Sequence, residues 1–546
     1  MKFSFLLILI LSSVQLFAQS AVKNSIDALL INEVPDESGP GMTVGVVKGG
    51  QVLYHSSRGR MNLEYNLPFN DSTVIGLASV TKHFTAACIG ILVKQGKLSV
   101  GDDVRKYIPE LAFYGDTIRI QHLFNHTSGI RNHNVLLDLK GFDYKHQGYT
   151  NKIIQDLMFR QKGINNAPGK KMLYSNTNYV LLALIVERIA GYELHEFSKN
   201  ELFVPMEMAH TFFIHDLEAI IPNRAYPYYL SDKGYRQPKS LTLCVGAGGM
   251  ESTISDLIKW SEIFLNPEHQ FSYLKDFITE LDTLNNGEAL KYGRGMFVAP
   301  YKQHRTINHS GRDLGMRSQF ICVPGLNLGV MVFTNNENIN AVNTSYKILD
   351  LFISEESETS YKTTAFNHSA EELEAFTGIF QELNSDLRMR VFLENDTLKA
   401  VSSMGSQATS LISEGRNLFS RIDNPYIKYA YLKEGSGYDL QVDFGGAIFY
   451  FEKIKLEEIP NQNLEDYAGN FYSKELDATY TLEVIGKQLV LKYPNHYLVL
   501  KEGQKGVFGA NRRTKYIFQR QNNKEIISFE VASEGTVKNI LFEKVN

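Results

Sequence analysis

The chain is short of cysteine, of net charge and of long apolar runs, and each shortage removes a class of function. Only Cys88, Cys244 and Cys322 occur in 546 residues. Their number is odd and their spacing suggests no disulfide framework. Each stands among apolar neighbours, which predicts buried thiols packing as small hydrophobes. None has the cationic surroundings that would make it a thiolate nucleophile. Net charge is −4 and no long basic run occurs, so the electrostatic footprint of a nucleic-acid binder is missing. Beyond the N-terminus no uniformly apolar stretch is long enough to span a bilayer, since "YVLLALIVERIAG" is broken by Glu187-Arg188. His122 and His126 have a metal-ligand spacing, but no Glu follows His122 and "TSGI" ends the helix, so no metal is expected. Gly248-Gly249 lacks the dinucleotide pattern and reads as a loop where backbone approaches an active site. No cofactor is expected.

What is present divides the chain. Met1-Lys2, the apolar "FSFLLILIL" and Leu16-Phe17-Ala18 read as a signal peptide over residues 1–18. No Cys follows it that would take a lipid, so a periplasmic or secreted protein is expected. The remaining length exceeds one hydrophobic core. "GMTVGVVKGGQVLYHSSRG" reads as a hairpin turning at Lys48-Gly49-Gly50-Gln51. A helix follows, with Phe84, Ala87, Cys88, Ile91 and Leu92 on one face and Gly96 at its end. Helices and loops dominate from about 105 to 270, and Thr253 and Asp256 have capping-box spacing. Strand character returns at "RTINHSG", "RSQFICV" and "LGVMVFTNN". Strands at both ends with helices between predict an α+β domain over 21–353, its antiparallel sheet completed by both termini.

The polar stretch "SEESETSYKTT" predicts a linker, placed at 354–370. Beyond it "LEAFTGIFQ" and "LEDYAGNFY" repeat the pattern Leu-Glu-x-aromatic-x-Gly-x-Phe. Two related β-rich units are therefore expected, at 371–457 and 462–546, as small closed sheets or barrels. Their expected role is to cap or gate an active site in the first domain.

Three short motifs can carry chemistry. In "GLASVTKHFTAACIG", Ser79 and Lys82 are three apart, so hydroxyl and ammonium share one helix face. A serine must lose its proton as it attacks, and a lysine can take it when burial favours the neutral amine. Free N–H groups at a helix start would also stabilise an oxyanion at Ser79. In "YSN", Tyr174 and Asn176 can offer a phenol and an amide to one cavity, with a phenolate beside lysines as base. They fit equally a helix start, with Asn176 as cap and Tyr174 as packing. In "INHSGRDLG", a strand ending at Gly311 would let substrate backbone lie close. The N–H of Arg312 would be an oxyanion donor and His309 a donor or cation beside the substrate. A histidine there also fits a purely structural role.

In this order the three motifs resemble those of the serine β-lactamase and penicillin-binding protein superfamily. The Tyr-x-Asn form is similar to class C β-lactamases and S12-type carboxypeptidases, aminopeptidases and esterases. "IRIQHLFNHTSGI" and "GAGGMESTISDLIKW" also look like segments of that family, and the resemblance covers about residues 25 to 350. The paired C-terminal units look like the β-barrel extensions of some S12-type members. The resemblance implies that Ser79 is acylated, that Lys82 accepts or shuttles its proton, and that Tyr174 later activates water. It implies that Asn176 orients Lys82 and the substrate amide, that the N–H groups of Ser79 and Arg312 form the oxyanion hole, and that Gly311 lies on the substrate-binding strand. The chain departs from the pattern at His309, where the family usually carries lysine. Histidine is largely neutral at pH 7, which weakens recognition of a substrate carboxylate unless Arg312 or Arg317 replaces it. The expected substrates are small peptides, esters or β-lactams, including peptidoglycan-derived ones. A catalytically weak cell-wall or ligand-binding sensor of the same fold is the alternative.

Overall fold

The computed structural model describes residues 20–144, 146–353, 367–383, 386–403, 407–422, 427–432, 438–444, 448–455, 463–510, 513–521 and 525–545. The expected leader and most of the expected linker lie outside the described residues. In the first domain, helix α1 spans residues 20–33. It is followed by β1 (Met42–Lys48) and β2 (Gln51–Arg58), joined through Gly49 and Gly50 at φ +61° and +75°. That left-handed pair suits a tight hairpin turn and favours glycine at both positions. Helices α2 (Lys82–Lys94), α3 (Asn176–Ala190) and α4 (Ile254–Leu265) follow. Then come β3 (Phe297–Tyr301), β4 (His304–Asp313), β5 (Met316–Val323), β6 (Leu328–Thr334) and α5 (Ala341–Asp350).

The six strands form one antiparallel sheet in the order β3-β4-β5-β6-β1-β2. Both termini complete it: Met42 on β1 stands opposite Thr334 on β6. Side-chain alternation along β1 and β6 gives the sheet two buried faces. Met42, Val44, Val46, Val330 and Val332 join Ile26 and Leu30 of α1 and Ile348 of α5 in one apolar cluster. Val47, Met331 and Phe333 face the other way, into the larger core that holds α2, α3 and α4. Gly45 lies under α4, and a Cβ there would come within 3.0 Å of the Ile254 side chain. Thr253 caps α4 through the N–H of Asp256, while the Asp256 carboxylate turns away to the N–H of His210 and the Thr211 hydroxyl. The three cysteines are buried and free.

The C-terminal region forms two closed barrels of eight antiparallel strands, from Gly378 to Ile454 and from Gly469 to Val545. The sequence echo has a shared physical role. Phe380 and Phe471 are buried in their barrels. Gly378 and Gly469, at φ +149° and +139°, each lie against the aliphatic stem of a last-strand lysine, Lys453 or Lys544. One apolar cluster runs through the first domain and the second barrel, whose Leu476, Ala478 and Tyr480 are among its members. At this junction Arg131 pairs with Glu475 at 2.9 Å and donates to the Asn539 carbonyl at 3.0 Å.

Candidate active site

The nucleophile candidate sits on a turn, not within the α-helix. Residues Ala78–Thr81 form a 3₁₀ turn that runs into α2. With three residues per turn, side chains three apart stack directly, and Lys82 Nζ reaches Ser79 Oγ at 2.9 Å. Ala78, immediately before the serine, has φ +49°. That conformation is costly for an L-residue and is held by its surroundings. Leu77 on one side donates its N–H to the Met250 carbonyl at 2.9 Å and accepts from the Ser318 hydroxyl at 2.8 Å.

Lys82 is fully buried, and desolvation lowers its pKa from 10.5 to about 7. Its second partner is the Ala247 carbonyl at 2.8 Å. Thr85, one turn along the same face, holds the adjoining Gly246 carbonyl at 2.8 Å. The loop 246–249 therefore anchors the lysine, and two of its glycines are needed: a Cβ on Gly246, at φ +106°, would stand 2.4 Å from the Tyr179 carbonyl, and one on Gly249, at φ +73°, 2.5 Å from the Cys244 carbonyl. Asn176, expected to orient Lys82, instead donates to Asn134 Oδ1 at 2.8 Å. It begins α3 rather than capping it, and its side chain forms cavity wall together with Asn134.

Tyr174 comes to the same point. Its hydroxyl hydrogen-bonds Ser79, and its ring centroid lies 4.9 Å from Lys82 Nζ. Burial raises the phenol pKa far above its ordinary value, so at neutral pH Tyr174 is a phenol and not the phenolate expected from sequence. His126, set aside as a metal ligand, packs on the Tyr174 ring at 4.2 Å between centroids. Its Nδ1 accepts from Asn178 at 3.1 Å and from the Ser175 N–H at 3.3 Å.

His309 is not offered to a substrate. It is buried, and its Nδ1 donates to the Ser310 carbonyl at 2.6 Å while Nε2 accepts from the Tyr292 hydroxyl at 3.0 Å. Burial, with Lys82 nearby, lowers its pKa to about 3, so it is neither cation nor free donor. Gly311 is required for a different reason from the one expected. A Cβ there would stand 2.1 Å from Ser318 Oγ and 2.4 Å from the Leu77 carbonyl; it admits the turn that carries Ser79. Among the described residues β3 pairs β4 only as far as Asn308, which leaves the edge from His309 to Asp313 without a strand neighbour. The Arg312 side chain is exposed at the cavity, 3.7 Å from Glu337. Arg317 is bound by the same carboxylate at 2.8 Å.

Ser79, Asn176, Arg312 and the 247–251 loop open on one cavity of about 530 Å³, a volume usual for a small-molecule site. All its lining residues fall between Gly76 and Met316. Neither barrel contributes to the wall, so the expected capping role is not seen among the described residues. The second barrel acts from behind: Tyr480 donates to the Leu139 carbonyl at 2.6 Å, on the helix His133–Lys140 that presents Asn134 to Asn176. Asn134 and Tyr292 carry no local sequence signal, because the partners that give them a role, Asn176 and His309, meet them only in the folded chain. His126 and the 246–249 loop are visible in the sequence, but their contacts with Tyr174 and Lys82 are not.

An antiparallel sheet flanked by helices, with a Ser-Lys-Tyr cluster where a 3₁₀ turn meets the sheet edge, defines a β-lactamase-like catalytic domain. The comparisons agree with this geometry: the Beta-lactamase family model matches residues 26–351, and the chain belongs to that family. It is 32% identical over 302 residues to penicillin-binding protein 4* of Bacillus subtilis, covering 51% of this chain and 64% of that protein. It thus spans a little under two thirds of that relative. It is 22% identical over 454 residues to a D-aminopeptidase of Gluconobacter oxydans, covering 82% of each. Among solved structures, the octameric penicillin-binding protein homologue from Pyrococcus abyssi shares the fold at a TM-score of 0.55 and 19% identity, over 87% of this chain and 99% of that one.

Proposed function

We propose that this protein is an exported serine hydrolase of the S12 peptidase type, working through an acyl-enzyme on amide or ester bonds. The observation that carries the reading is a buried lysine, its pKa lowered to about 7, within 2.9 Å of an accessible serine hydroxyl. Neutral Lys82 keeps one N–H on the Ala247 carbonyl and turns its lone pair to Ser79. As Ser79 Oγ attacks the substrate carbonyl carbon, its proton passes to Lys82. Charge develops on the carbonyl oxygen, which the N–H groups of Ser79 and Arg312 receive. Collapse breaks the amide or ester bond, and the leaving amine or alcohol takes the proton through the Tyr174 phenol. Water then enters along the reverse proton path, releases the acid and restores Ser79. The relative described as a D-aminopeptidase supports amide substrates. The neutral, fully engaged His309 argues against a carboxylate anchor of the usual kind.

The test is intact-protein mass after exposure to an alkyl fluorophosphonate, with Ser79→Ala as control. One covalent adduct on the wild type and none on the variant is expected. Equal turnover of a p-nitrophenyl ester by both proteins would overturn the assignment and leave a ligand-binding sensor as the better reading.

A further inference from the structure

Resting on that reading, we infer that the acyl half of the substrate carries an extended apolar side chain, held by leucines on the outer wall of the Ser79 cavity. Leu217, Leu241 and Leu314 all line this cavity and are 38%, 43% and 51% exposed. Exposed leucines scattered singly need no explanation. These three line the cavity that holds the nucleophile, and none belongs to the buried apolar clusters that stabilise the protein. Leu314 has the most informative position. It lies at the tip of the β4–β5 hairpin, three residues beyond Gly311, where the open strand edge ends. A chain lying along that edge would project its side group toward the leucine.

The cavity also carries charge, since Lys239 and the exposed Arg312 line it, but other charged groups of the site are engaged elsewhere. Arg224 is paired with the buried Glu251 carboxylate, its Nε at 2.8 Å, Arg317 is held by Glu337, and His309 is uncharged. On this inference the acyl side chain draws its binding energy from contact with the three leucines, worth about 0.8 kcal/mol per buried methylene. That converts to about a fourfold gain in kcat/KM per methylene until the cavity is filled.

The experiment measures kcat/KM for p-nitrophenyl acetate, butyrate, hexanoate and octanoate, each normalised to its rate of hydroxide hydrolysis. Ser79→Ala subtracts background. The expected result is a rise of about three- to fourfold per added methylene from acetate to hexanoate. Leu314→Ser and Leu241→Ser should each flatten that slope, whereas Ile220→Ser, at a 94% exposed residue outside the cavity, should not. Ser79-dependent turnover with no dependence on chain length, or a slope unchanged in both leucine variants, would overturn this inference while leaving the hydrolase reading intact. Absence of Ser79-dependent turnover or labelling with every probe would overturn the hydrolase reading, and the inference with it.

Discussion

On the proposed mechanism Lys82 is the residue on which reactivity turns, because the environment that lowers its pKa also sets its working range. Burial favours the neutral amine, and the fraction able to take a proton grows as pH rises through about 7. The pH profile of kcat/KM for a neutral ester should therefore rise to a plateau with a midpoint near 7. Lys82→Ala should remove that limb and lower kcat/KM by about 10²–10⁴-fold, the usual range for base catalysis. The sign for stability is fixed by the same shift. The unfolded chain holds the lysine proton up to pH 10.5 and the folded chain releases it near 7, so this group adds stability as pH rises between those values. Sequence identified Ser79, Lys82 and Tyr174 as partners, and the structure brings them together. It could not show that the phenol stays protonated, because burial belongs to the tertiary environment.

At the scale of elements, the site is a junction between a strained turn and an open strand edge. The Ala78–Thr81 turn is pressed on β4 at Gly311 and tied to the Met250–Ser252 strand through Leu77. Gly311→Ala would put a methyl group 2.1 Å from Ser318 Oγ and 2.4 Å from the Leu77 carbonyl. The turn must move, and the variant should lose about 1–3 kcal/mol of stability and most of its activity. Urea denaturation and ester turnover measured together check this. Normal activity with reduced stability would show that the serine turn is not held from β4. The glycine itself was legible in the sequence; its neighbour was not, because Leu77 and Gly311 are distant along the chain.

For the whole molecule, the second barrel is part of the first domain's structure rather than an appendage. Its Glu475 carboxylate and Asn539 carbonyl take the guanidinium of fully buried Arg131. The Arg131 carbonyl accepts from Thr177 Oγ1 at 2.8 Å at the start of α3, and Thr177 Oγ1 in turn accepts from the His133 N–H at 2.8 Å. These contacts run from the barrel to the wall holding Asn134 and Asn176. Removing one partner of a buried pair leaves an uncompensated charge, at a cost of about 3–5 kcal/mol. Glu475→Leu should destabilise by that amount and reduce ester turnover. Adding Arg131→Met should restore most of the stability. Thermal melting of the single and double variants tests it: a double variant as unstable as the single one would show that the pair is not what joins the barrel to the domain.

Local patterns carried much of this. Strand alternation, the Gly49-Gly50 turn, the apolar face of α2 and the repeated Leu-Glu-x-aromatic-x-Gly-x-Phe motif depend on neighbours a few residues apart. They establish the elements, the α+β domain and the paired barrels from sequence alone. Tertiary structure decided which groups are charged and which are engaged. It pairs His309 with Tyr292 and the Ser310 carbonyl, gives Asn176 to Asn134, fastens Lys82 to Ala247 and places the second barrel behind the site rather than over it. Burial and hydrogen-bond partnership are properties of the assembled chain: Lys82 and Ala247 are 165 positions apart, and Tyr480 and Leu139 are 341.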